Sequence, residues 1–466
     1  MPVKKWFVFG LSVAASAGVL RVRADERDDL IKALIQRVDE LDQKVKVLER
    51  NRELDTEAAE ARSKEAPRLT AGSNGFSFSS ADTNFVLRLR GGLQADGRFY
   101  PGQSTANDTF LLRRVRPIIE GTVFGKFDYR MMFDFASGIS LTPANNGSLV
   151  DAYGDLRLYP EFNVRVGKFK EPVGLERQQS WNNLLFVERG FPTQLVPNRD
   201  TGVMLHGELF DGRGSYQAGA FNGTADGGSD DFDTTDSDKD FAARLFAQPF
   251  KESKSAIWRG LGFGVAGTYG EQNRAPRTYS THGSQRVFGY RTSSDPTRPN
   301  VVGDGTQWRL SPQAYWYWGP FGLLGEYAIS SQELAQAGGG PGAGNRGSLE
   351  NRAWQVEASY FVTGEANSFR PVTPLRPLGV GNGGWGALEL TARVGELNLD
   401  EAAFPIFADP ASSASNAFSW GLGFNWHFNR FFKLTLNYEH SDLDGVKGYN
   451  GINHEDVILT RLQATF

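Results

Sequence analysis

The stretch that decides the fold is Phe418-Ser-Trp-Gly-Leu-Gly-Phe-Asn-Trp-His-Phe428. Every second residue from Phe418 to Phe428 is aromatic or leucine, and the residues between them are small or polar. Because successive side chains of a β-strand point to opposite faces, this segment has one apolar face and one polar face. Such alternation, repeated in many segments of about ten residues, is typical of strands that separate lipid from water.

Sixteen segments between residues 84 and 466 alternate in this way. The predicted strands are 84–96, 110–122, 126–136, 150–159, 162–170, 201–210, 213–222, 240–249, 260–270, 306–318, 321–331, 351–362, 384–397, 417–428, 431–442 and 455–466. Two-residue turns such as Gly319-Pro320 alternate with long connections such as 171–200 and 271–305. Short periplasmic turns opposite long external loops are typical of outer-membrane barrels. The pattern therefore predicts an all-β transmembrane barrel of about 16 antiparallel strands over residues 84–466.

The N-terminus has the order of a secretory signal. Lys4-Lys5 precede the apolar run Trp6–Val19, and small residues follow it. Because this run is shorter than the ~20 residues of a membrane span, a permanent transmembrane anchor is disfavoured. We predict a signal peptide over residues 1–24, cleaved after Ala17 or Ala24, and export to an outer membrane of the Gram-negative type.

Composition excludes several other classes of protein. The 466 residues include no Cys and carry a formal charge of -4. The absence of Cys excludes a disulfide framework and cysteine metal sites. The small net charge gives no indication of a nucleic-acid partner. The acidic run 226–240 lacks the spacing of a dedicated calcium loop, so a solvated external loop is predicted, with weak divalent-ion binding as the alternative. No dedicated metal site and no cofactor are predicted.

Residues 25–64 have the heptad pattern of a periplasmic coiled coil. The apolar positions that recur every seven residues are Ile31, Val38 and Val45, and Leu34, Leu41 and Leu48. Flanking charges of opposite sign favour a parallel coiled coil, and an amphipathic helix lying on another surface is the alternative. Residues 65–83, rich in Pro, Gly, Ser and Asn, are predicted to form a linker or plug.

The barrel is predicted to contain water, since sixteen strands enclose a lumen too wide for side chains to fill. Strand alternation places one set of basic residues opposite the apolar faces. The predicted pore-lining residues of this set are Arg88, Arg90, Arg116, Arg130, Arg244, Arg309, Arg393 and Lys433. Acidic residues occupy the same faces in nearly equal number, so alternation alone does not set the selectivity of the pore.

Several motifs resemble those of the phosphate-selective porin O and P family. The most specific is Gly167-Lys-Phe-Lys-Glu-Pro-Val-Gly-Leu-Glu176 followed by Glu188-Arg189, and Phe110-Leu-Leu-Arg-Arg114 is another. The resemblance extends from Phe76 to the C-terminus. It implies a trimeric sixteen-stranded channel for phosphate or related anions, with no enzymatic activity. Its lumen would hold a ladder of basic residues above a constriction formed by an infolded loop.

The resemblance also implies which residues bind the substrate. These are Arg113, Arg114, Asp151, Arg177, Ser180 and Arg189. Arginine suits an oxyanion because its planar fork donates two hydrogen bonds at once, and an aspartate can accept a hydrogen bond from a protonated phosphate. Two positions depart from the family pattern, since Gly92 and Asp128 stand where basic residues are expected. Strict alternation turns Arg113 and Arg114 to opposite faces, so both reach the lumen only if a β-bulge re-aims one of them.

These observations favour a passive, anion-preferring porin for phosphate or related oxyanions. The alternative is a general diffusion porin for small hydrophilic solutes, in which the coiled coil is a structural tether. The connection 171–200 is predicted to fold into the lumen, because about thirty residues with little periodicity are too many for an idle loop. Arg461 lies outside the predicted constriction, so Arg461→Ala is expected to have little effect on anion preference and on phosphate block of the chloride current.

A homotrimer is predicted, although β-branched residues at position a with Leu at position d favour two-stranded coiled coils. Three heptads are marginal on their own, so the larger surface between barrels should set the number of chains. The other expected partners are outer-membrane lipid and lipopolysaccharide.

Overall fold

The computed structural model describes residues 24–72, 75–102, 106–136, 148–230, 237–340, 342–379, 383–444 and 453–466. The chain divides into two compact units, Met1–Ala66 and Pro67–Phe466. Residues 1–23 of the predicted signal peptide lie outside the described residues.

The first unit contains a single described helix, α1, over Ala24–Glu65. The predicted a and d side chains are exposed on it, for example Val38 at 60% and Leu48 at 66%. Charged residues pair along the helix, as Arg37 does with Glu40 at 2.8 Å. The heptad pattern therefore forms a helix whose apolar stripe is exposed in the single chain, and the coiled coil stays a prediction. Among the described residues, no helix is both long and apolar enough to cross a membrane.

The second unit is built from β-strands. Its strands are β1 Arg68–Gly72, β2 Gly75–Ser79, β3 Val86–Phe99, β4 Thr109–Val123, β5 Phe127–Asp134, β6 Ser148–Tyr159, β7 Phe162–Lys170, β8 Arg199–Leu209, β9 Gly214–Phe221, β10 Asp240–Ala247, β11 Leu261–Gln272, β12 Tyr279–Ser280, β13 Arg286–Phe288, β14 Asn300–Trp318, β15 Phe321–Ala337, β16 Arg346–Phe361, β17 Ala387–Asn398, β18 Asn416–His427, β19 Phe432–Asp444 and β20 His454–Thr465. Its short helices are α2 Leu175–Gln178 and α3 Ala256–Arg259, with 3-10 turns at Phe191–Gln194 and Glu401–Ala403.

Sixteen of these strands, β3–β11 and β14–β20, close into an antiparallel barrel. Each pairs with the next, and β20 returns to pair with β3, with Ile458 opposite Phe99 and Thr465 opposite Gly92. Closure leaves the barrel without a free sheet edge, which lipid requires. All sixteen predicted strands are confirmed. Most of their boundaries differ from the predicted ones by a few residues.

The alternation in β18 explains why these segments are strands. Trp420 and Leu422 are 38% and 56% exposed on the outer face, whereas Ser419 and Asn425 on the inner face are at most 1% exposed. The outer face is apolar and the inner face polar, as lipid outside and a polar lumen require.

Two regions differ from the predicted boundaries. The segment predicted as a linker or plug, 65–83, contains β1 and β2, and β2 pairs with the start of β3, with Phe76 opposite Leu89. The Phe-Ser-Phe-Ser alternation of β2 outweighs the Gly- and Ser-rich composition on which the linker prediction was based. In addition, β14, β15 and β16 extend well into the connections predicted on their outer side.

The connection between β7 and β8, residues 171–198, folds into the lumen as predicted, and we call it the inner loop. Its apolar side chains are buried like those of a core; those at most 3% exposed are Val173, Leu175, Leu184, Phe186, Val187, Phe191, Leu195 and Val196. A buried loop must satisfy its backbone polar groups. Inward side chains of β18 and β19 do this here, because Asn425 donates to the Leu185 carbonyl at 3.0 Å and Lys433 donates to the Leu184 carbonyl at 2.8 Å.

A second segment also enters the barrel, and the sequence did not predict it. Residues 273–299, here called the inner hairpin, contain the paired strands β12 and β13. Tyr279, 2% exposed, donates to Asp226 at 3.1 Å, and Thr281 donates to Glu455 at 2.8 Å. Asp226 of the β9–β10 connection and Glu455 of β20 therefore anchor this segment inside the barrel.

The long turn between β16 and β17 also reaches the lumen, which gives a structural role to residues 363–379. Asn367 donates to Ser359 at 2.6 Å, and Phe369 stacks on Tyr315 with ring centroids 5.5 Å apart. Asn183 of the inner loop donates to the Phe369 carbonyl at 2.9 Å. The turn and the inner loop thus meet inside the barrel.

Candidate functional site

A cavity of about 750 Å³ lies between β4, the inner loop and the inner hairpin, and we call it the central cavity. Its lining includes Arg113, Arg114, Arg116, Trp181, Arg177, Glu188, Arg189, Gln194, Asn198, Arg199, Arg277, Thr278, Ser280, His282 and Ser284. The lining contains seven arginines and one glutamate, so it is strongly basic.

A β-bulge brings Arg113 and Arg114 to the same cavity. In the pairing of β3 with β4, Gln94 lies opposite Arg114 and Ala95 lies opposite Leu112, which leaves Arg113 as the extra residue. A bulge of this kind re-aims one side chain. Both arginines therefore line the cavity because of a β-bulge, as strand alternation in the sequence required.

Arg113 is neutralised by an ion pair. Its Nε and Nη2 lie 2.8 and 3.2 Å from the two carboxylate oxygens of Glu188, and Nη2 of Arg98 lies 2.7 Å from the same side chain. Although burial opposes ionisation, Arg113 and Arg98 hold the pKa of Glu188 well below its usual range. Glu188 is thus a fixed anion within the basic cavity.

Three other arginines of the cavity make no ion pair with any carboxylate of the described residues. Arg114 donates to the Gln94 side-chain oxygen at 2.6 Å. Arg177 donates to the Thr193 carbonyl, and Arg189 donates to the carbonyls of Glu176 and Gln179 at 3.2 and 3.0 Å. The Nε atoms of Arg114 and Arg177 are buried without a hydrogen-bond partner in the part of the chain that the structure describes.

The electrostatics of Arg177 reflect this excess of positive charge. Burial, followed by the neighbouring charges of Arg189 and Arg199, lowers its pKa to about 9. Arg177 therefore remains ionised at neutral pH, yet its charge is destabilised. A bound anion would remove part of that cost, because opposite charge favours the ionised form of a guanidinium.

The remaining two predicted binding residues lie elsewhere. Asp151 is 7% exposed and accepts hydrogen bonds from Arg199 at 2.7 Å and Arg130 at 3.3 Å. Both of its oxygens are engaged, so Asp151 orients two arginines and does not line the central cavity. Ser180 is exposed and is likewise absent from the lining of this cavity.

Gly92, which stands where a basic residue is expected, has a packing role. A Cβ atom at this position would lie 2.2 Å from Cη2 of Trp181. The indole, only 6% exposed, occupies that space and lies 5.6 Å from the guanidinium of Arg116. Trp181 thus takes the place that a longer side chain at position 92 would fill.

Two further cavities, of about 580 and 620 Å³, lie near the short turns of the wall from β3 to β10 and share Asp155 and Arg157. The predicted pore-lining residues Arg88 and Arg130 line the first of them, and Arg244 lines the second. Arg90 lies beside the first cavity, 3.0 Å from Glu120.

Arg116, also predicted to line the pore, lines the central cavity. The remaining three predicted pore-lining residues face inward but are covered. Arg309, 2% exposed, pairs with Asp226 at 2.7 Å, and Arg393, 4% exposed, pairs with Glu439 at 2.6 Å. Lys433 donates to the inner loop. These residues stabilise the packing inside the barrel instead of lining a water-filled surface. Among the described residues, no group of three or more His, Asp or Glu side chains is placed to hold a metal ion.

Sequence reasoning missed Arg199 and Arg277 as cavity residues. Arg199 begins β8 and lies next to the inner loop, so its position depends on where that loop turns back. Arg277 belongs to the inner hairpin, whose sequence has no periodic signal. Lys170, which belongs to the family motif, donates to the Gln179 carbonyl at 2.8 Å.

The fold is similar to that of solved outer-membrane channels. The outer membrane channel DcaP of Acinetobacter baumannii is 12% identical with a TM-score of 0.51, and the match covers 84% of this chain and 99% of that one. An anion-selective porin from Comamonas acidovorans is 10% identical with a TM-score of 0.49, covering 82% and 100%. OmpT of Vibrio cholerae is 11% identical in a loop-deleted form, with a TM-score of 0.49 and the same two coverages.

Comparison with curated proteins finds no match. The sequence does match the family described as phosphate-selective porin O and P over residues 87–466, which include every strand of the barrel apart from its first residue. The chain therefore belongs to the phosphate-selective porin O and P family of outer-membrane channels.

Proposed function

We propose that this porin is a passive channel that prefers anions, and that phosphate and related oxyanions bind in the central cavity. The observation that carries the proposal is the charge of the lining. Arg113, Arg114, Arg177 and Arg189 share one cavity, and the last three have no carboxylate partner among the described residues. Buried charges are usually paired, so unpaired arginines in a cavity indicate a site for a mobile anion.

Arginine geometry favours an oxyanion over chloride. A guanidinium donates two parallel hydrogen bonds to two oxygens of one phosphate, whereas chloride offers a single acceptor. Hydrogen bonds to charged groups contribute roughly 1.5–3 kcal/mol each. Several such contacts give selectivity, and their division among neighbouring sites lets the ion leave again.

A row of arginines continues from the cavity towards the short turns. Arg199 lines the central cavity, Asp151 joins it to Arg130, and Arg130 lines the next cavity with Arg165. Carboxylates pair with Arg130 and Arg165 along this row. We propose that an anion moves along this row by transfer from one arginine to the next. It is bound less tightly where the arginines are already paired with carboxylates.

Assembly and targeting complete the proposal. Residues 1–24 are proposed to be a cleaved signal peptide, and the barrel is proposed to lie among outer-membrane lipid and lipopolysaccharide as a homotrimer. The exposed apolar stripe of α1 supports a coiled coil, because Val38 and Leu48 would be buried against other copies of the chain. Native mass spectrometry that finds a dimer would contradict this assembly.

Ion selectivity in planar bilayers tests the channel function. Wild-type protein in a salt gradient should give a reversal potential whose sign indicates that anions are more permeant than cations. Phosphate should block the chloride current. The double variant Arg114→Ala/Arg177→Ala should lose most of the block, because it removes two unpaired donors. Arg213→Ala is the control, since Arg213 lies in the short turn between β8 and β9 and is absent from the lining of the central cavity.

The same measurement separates the alternative. Cation preference, or a double variant that binds phosphate like wild type, would contradict the anion-binding site and favour a general diffusion porin. A general diffusion porin would also contain ion pairs like those along the row of arginines. The test therefore substitutes the arginines that have no carboxylate partner.

A further inference from the structure

The central cavity is larger than an inorganic oxyanion requires. Its volume is about 750 Å³. A water molecule takes about 30 Å³ in the liquid, and phosphate has only five non-hydrogen atoms. Sites for small organic molecules usually span about 300–1,000 Å³. Space therefore remains for an organic group beside a phosphate bound to the arginines.

The part of the lining that carries no charge is mainly polar. The inner hairpin contributes Thr278, Ser280 and Ser284, and the inner loop contributes Gln194 and Asn198. An organic group next to these side chains is stabilised if it offers hydrogen-bonding partners, whereas an alkyl group would leave buried polar atoms without partners.

Thr278 and Ser280 are positioned by the residue between them. Tyr279 is 2% exposed, donates to Asp226 at 3.1 Å and accepts a hydrogen bond from Asn351 at 3.2 Å. Successive residues of extended chain point to opposite faces. Because Tyr279 points into the wall, its two neighbours share the opposite face, where both line the cavity.

Both hydroxyls are available for a ligand. Among the described residues, neither the Thr278 nor the Ser280 hydroxyl has a hydrogen-bond partner. Gln194 fixes the backbone of Ser280, because it accepts from the Ser280 amide at 2.8 Å and donates to its carbonyl at 2.7 Å. The backbone that carries the Ser280 hydroxyl is thus fixed, while the hydroxyls of Thr278 and Ser280 keep their hydrogen-bonding capacity for a ligand.

We infer that the central cavity binds phosphate monoesters of polyhydroxylated molecules. The inference rests on the anion site proposed above. Arg114, Arg177 and Arg189 would hold the phosphate, and the hydroxyls of Thr278 and Ser280 would exchange hydrogen bonds with the hydroxyl groups of the ligand. Each neutral hydrogen bond of this kind changes affinity by roughly two- to tenfold.

The test compares three blockers of the chloride current through the full-length protein in planar bilayers. They are inorganic phosphate, glucose 6-phosphate and n-butyl phosphate, which has the same head group without hydroxyls. We expect glucose 6-phosphate to bind at least fivefold more tightly than n-butyl phosphate. Thr278→Val/Ser280→Ala should remove about fivefold of the glucose 6-phosphate affinity and leave inorganic phosphate unchanged. Ser294→Ala, at an exposed serine of the same hairpin that is absent from the lining of the central cavity, is the matched control.

The outcomes distinguish the two proposals. Equal affinity for the two esters in wild type overturns the inference even if the variant misfolds. Unchanged glucose 6-phosphate affinity in the folded double variant also overturns it. In either case, block by inorganic phosphate leaves the anion site standing. Failure of all three compounds to block contradicts the anion site itself.

Discussion

The two halves of the barrel have the same wall and different contents. Strands β3–β10, the open half, border cavities of about 580, 620 and 750 Å³. In strands β14–β20, the filled half, inward side chains contact the inner loop and the inner hairpin, and one cavity there, between Leu184, Asn367 and His427, is about 20 Å³. That space holds about one water molecule.

The difference teaches how an inward arginine acquires its role. In the filled half, Arg393 contacts Glu357, Glu439 and the inner-loop carbonyl of Glu188, so it stabilises the packing. In the open half, Arg114 faces a cavity with no carboxylate partner among the described residues. The strand pattern is the same in both places, and the neighbouring loop decides whether the charge is paired within the packing or faces a cavity.

The largest expected effect concerns Arg461, in the filled half. It donates to both oxygens of Asp96 at 2.7 Å and to the Val187 carbonyl at 2.5 Å. Arg461→Met leaves the buried Asp96 unpaired, which should cost about 3–5 kcal/mol of unfolding free energy. Urea unfolding of the folded barrel in lipid vesicles measures this loss. This loss concerns stability, and the expectation from sequence that Arg461→Ala has little effect on anion preference stays a prediction.

Arg88→Met is the matched variant in the open half, because Arg88 is an exposed lumen arginine without an ion pair among the described residues. Its unfolding midpoint should equal that of wild type. If Arg461→Met and Arg88→Met are equally stable, the distinction between the two halves is wrong.

The second effect concerns binding in the open half. Arg114→Gln removes an unpaired charge, so phosphate affinity should fall by roughly ten- to hundredfold, as expected for one charge-assisted hydrogen bond. Stability should not fall, since no buried carboxylate loses its partner. Titration of the phosphate block, together with urea unfolding of the same protein, measures both quantities. If the variant binds phosphate like wild type and is less stable, Arg114 stabilises the packing, as Arg393 does, and does not bind the anion.

The third effect concerns the packing of Trp181. Gly92→Ala adds a methyl group that must displace the indole, and overpacking of this kind costs about 1–3 kcal/mol. The displaced ring should narrow the central cavity and reduce single-channel conductance. Gly72→Ala is the control, because a Cβ there meets no atom within 4 Å. Equal conductance of the two variants would show that Trp181 does not border the ion path.

The smallest effect is expected at the mouth of the open half. Arg88→Ala removes an exposed charge from the cavity of about 580 Å³. Exposed charges act mainly on the rate of encounter and are screened by salt. Anion conductance should therefore fall slightly in dilute salt and not at 1 M salt, as bilayer recordings at two concentrations can show. A loss that persists at high salt would place Arg88 in a binding site.

The sequence by itself determined the barrel. Alternation has a period of two and depends only on neighbouring residues, so all sixteen strands and the inward face of each could be predicted. Residue order also revealed that Arg113 and Arg114 need a bulge, and the length of residues 171–200 revealed that this loop turns inward. The prediction that the arginines bind an anion required the resemblance to a family, because charge along the strands nearly balances.

Only the tertiary structure decided which inward charges are open to solute. Arg309 and Arg114 look alike in sequence, but Asp226, from a distant loop, pairs with the first, and no carboxylate among the described residues pairs with the second. The entry of the inner hairpin beside Arg277 depends on contacts between segments far apart in the chain. Periodicity carries no information about such contacts, since burial and pairing of a charge are set by whatever packs against it.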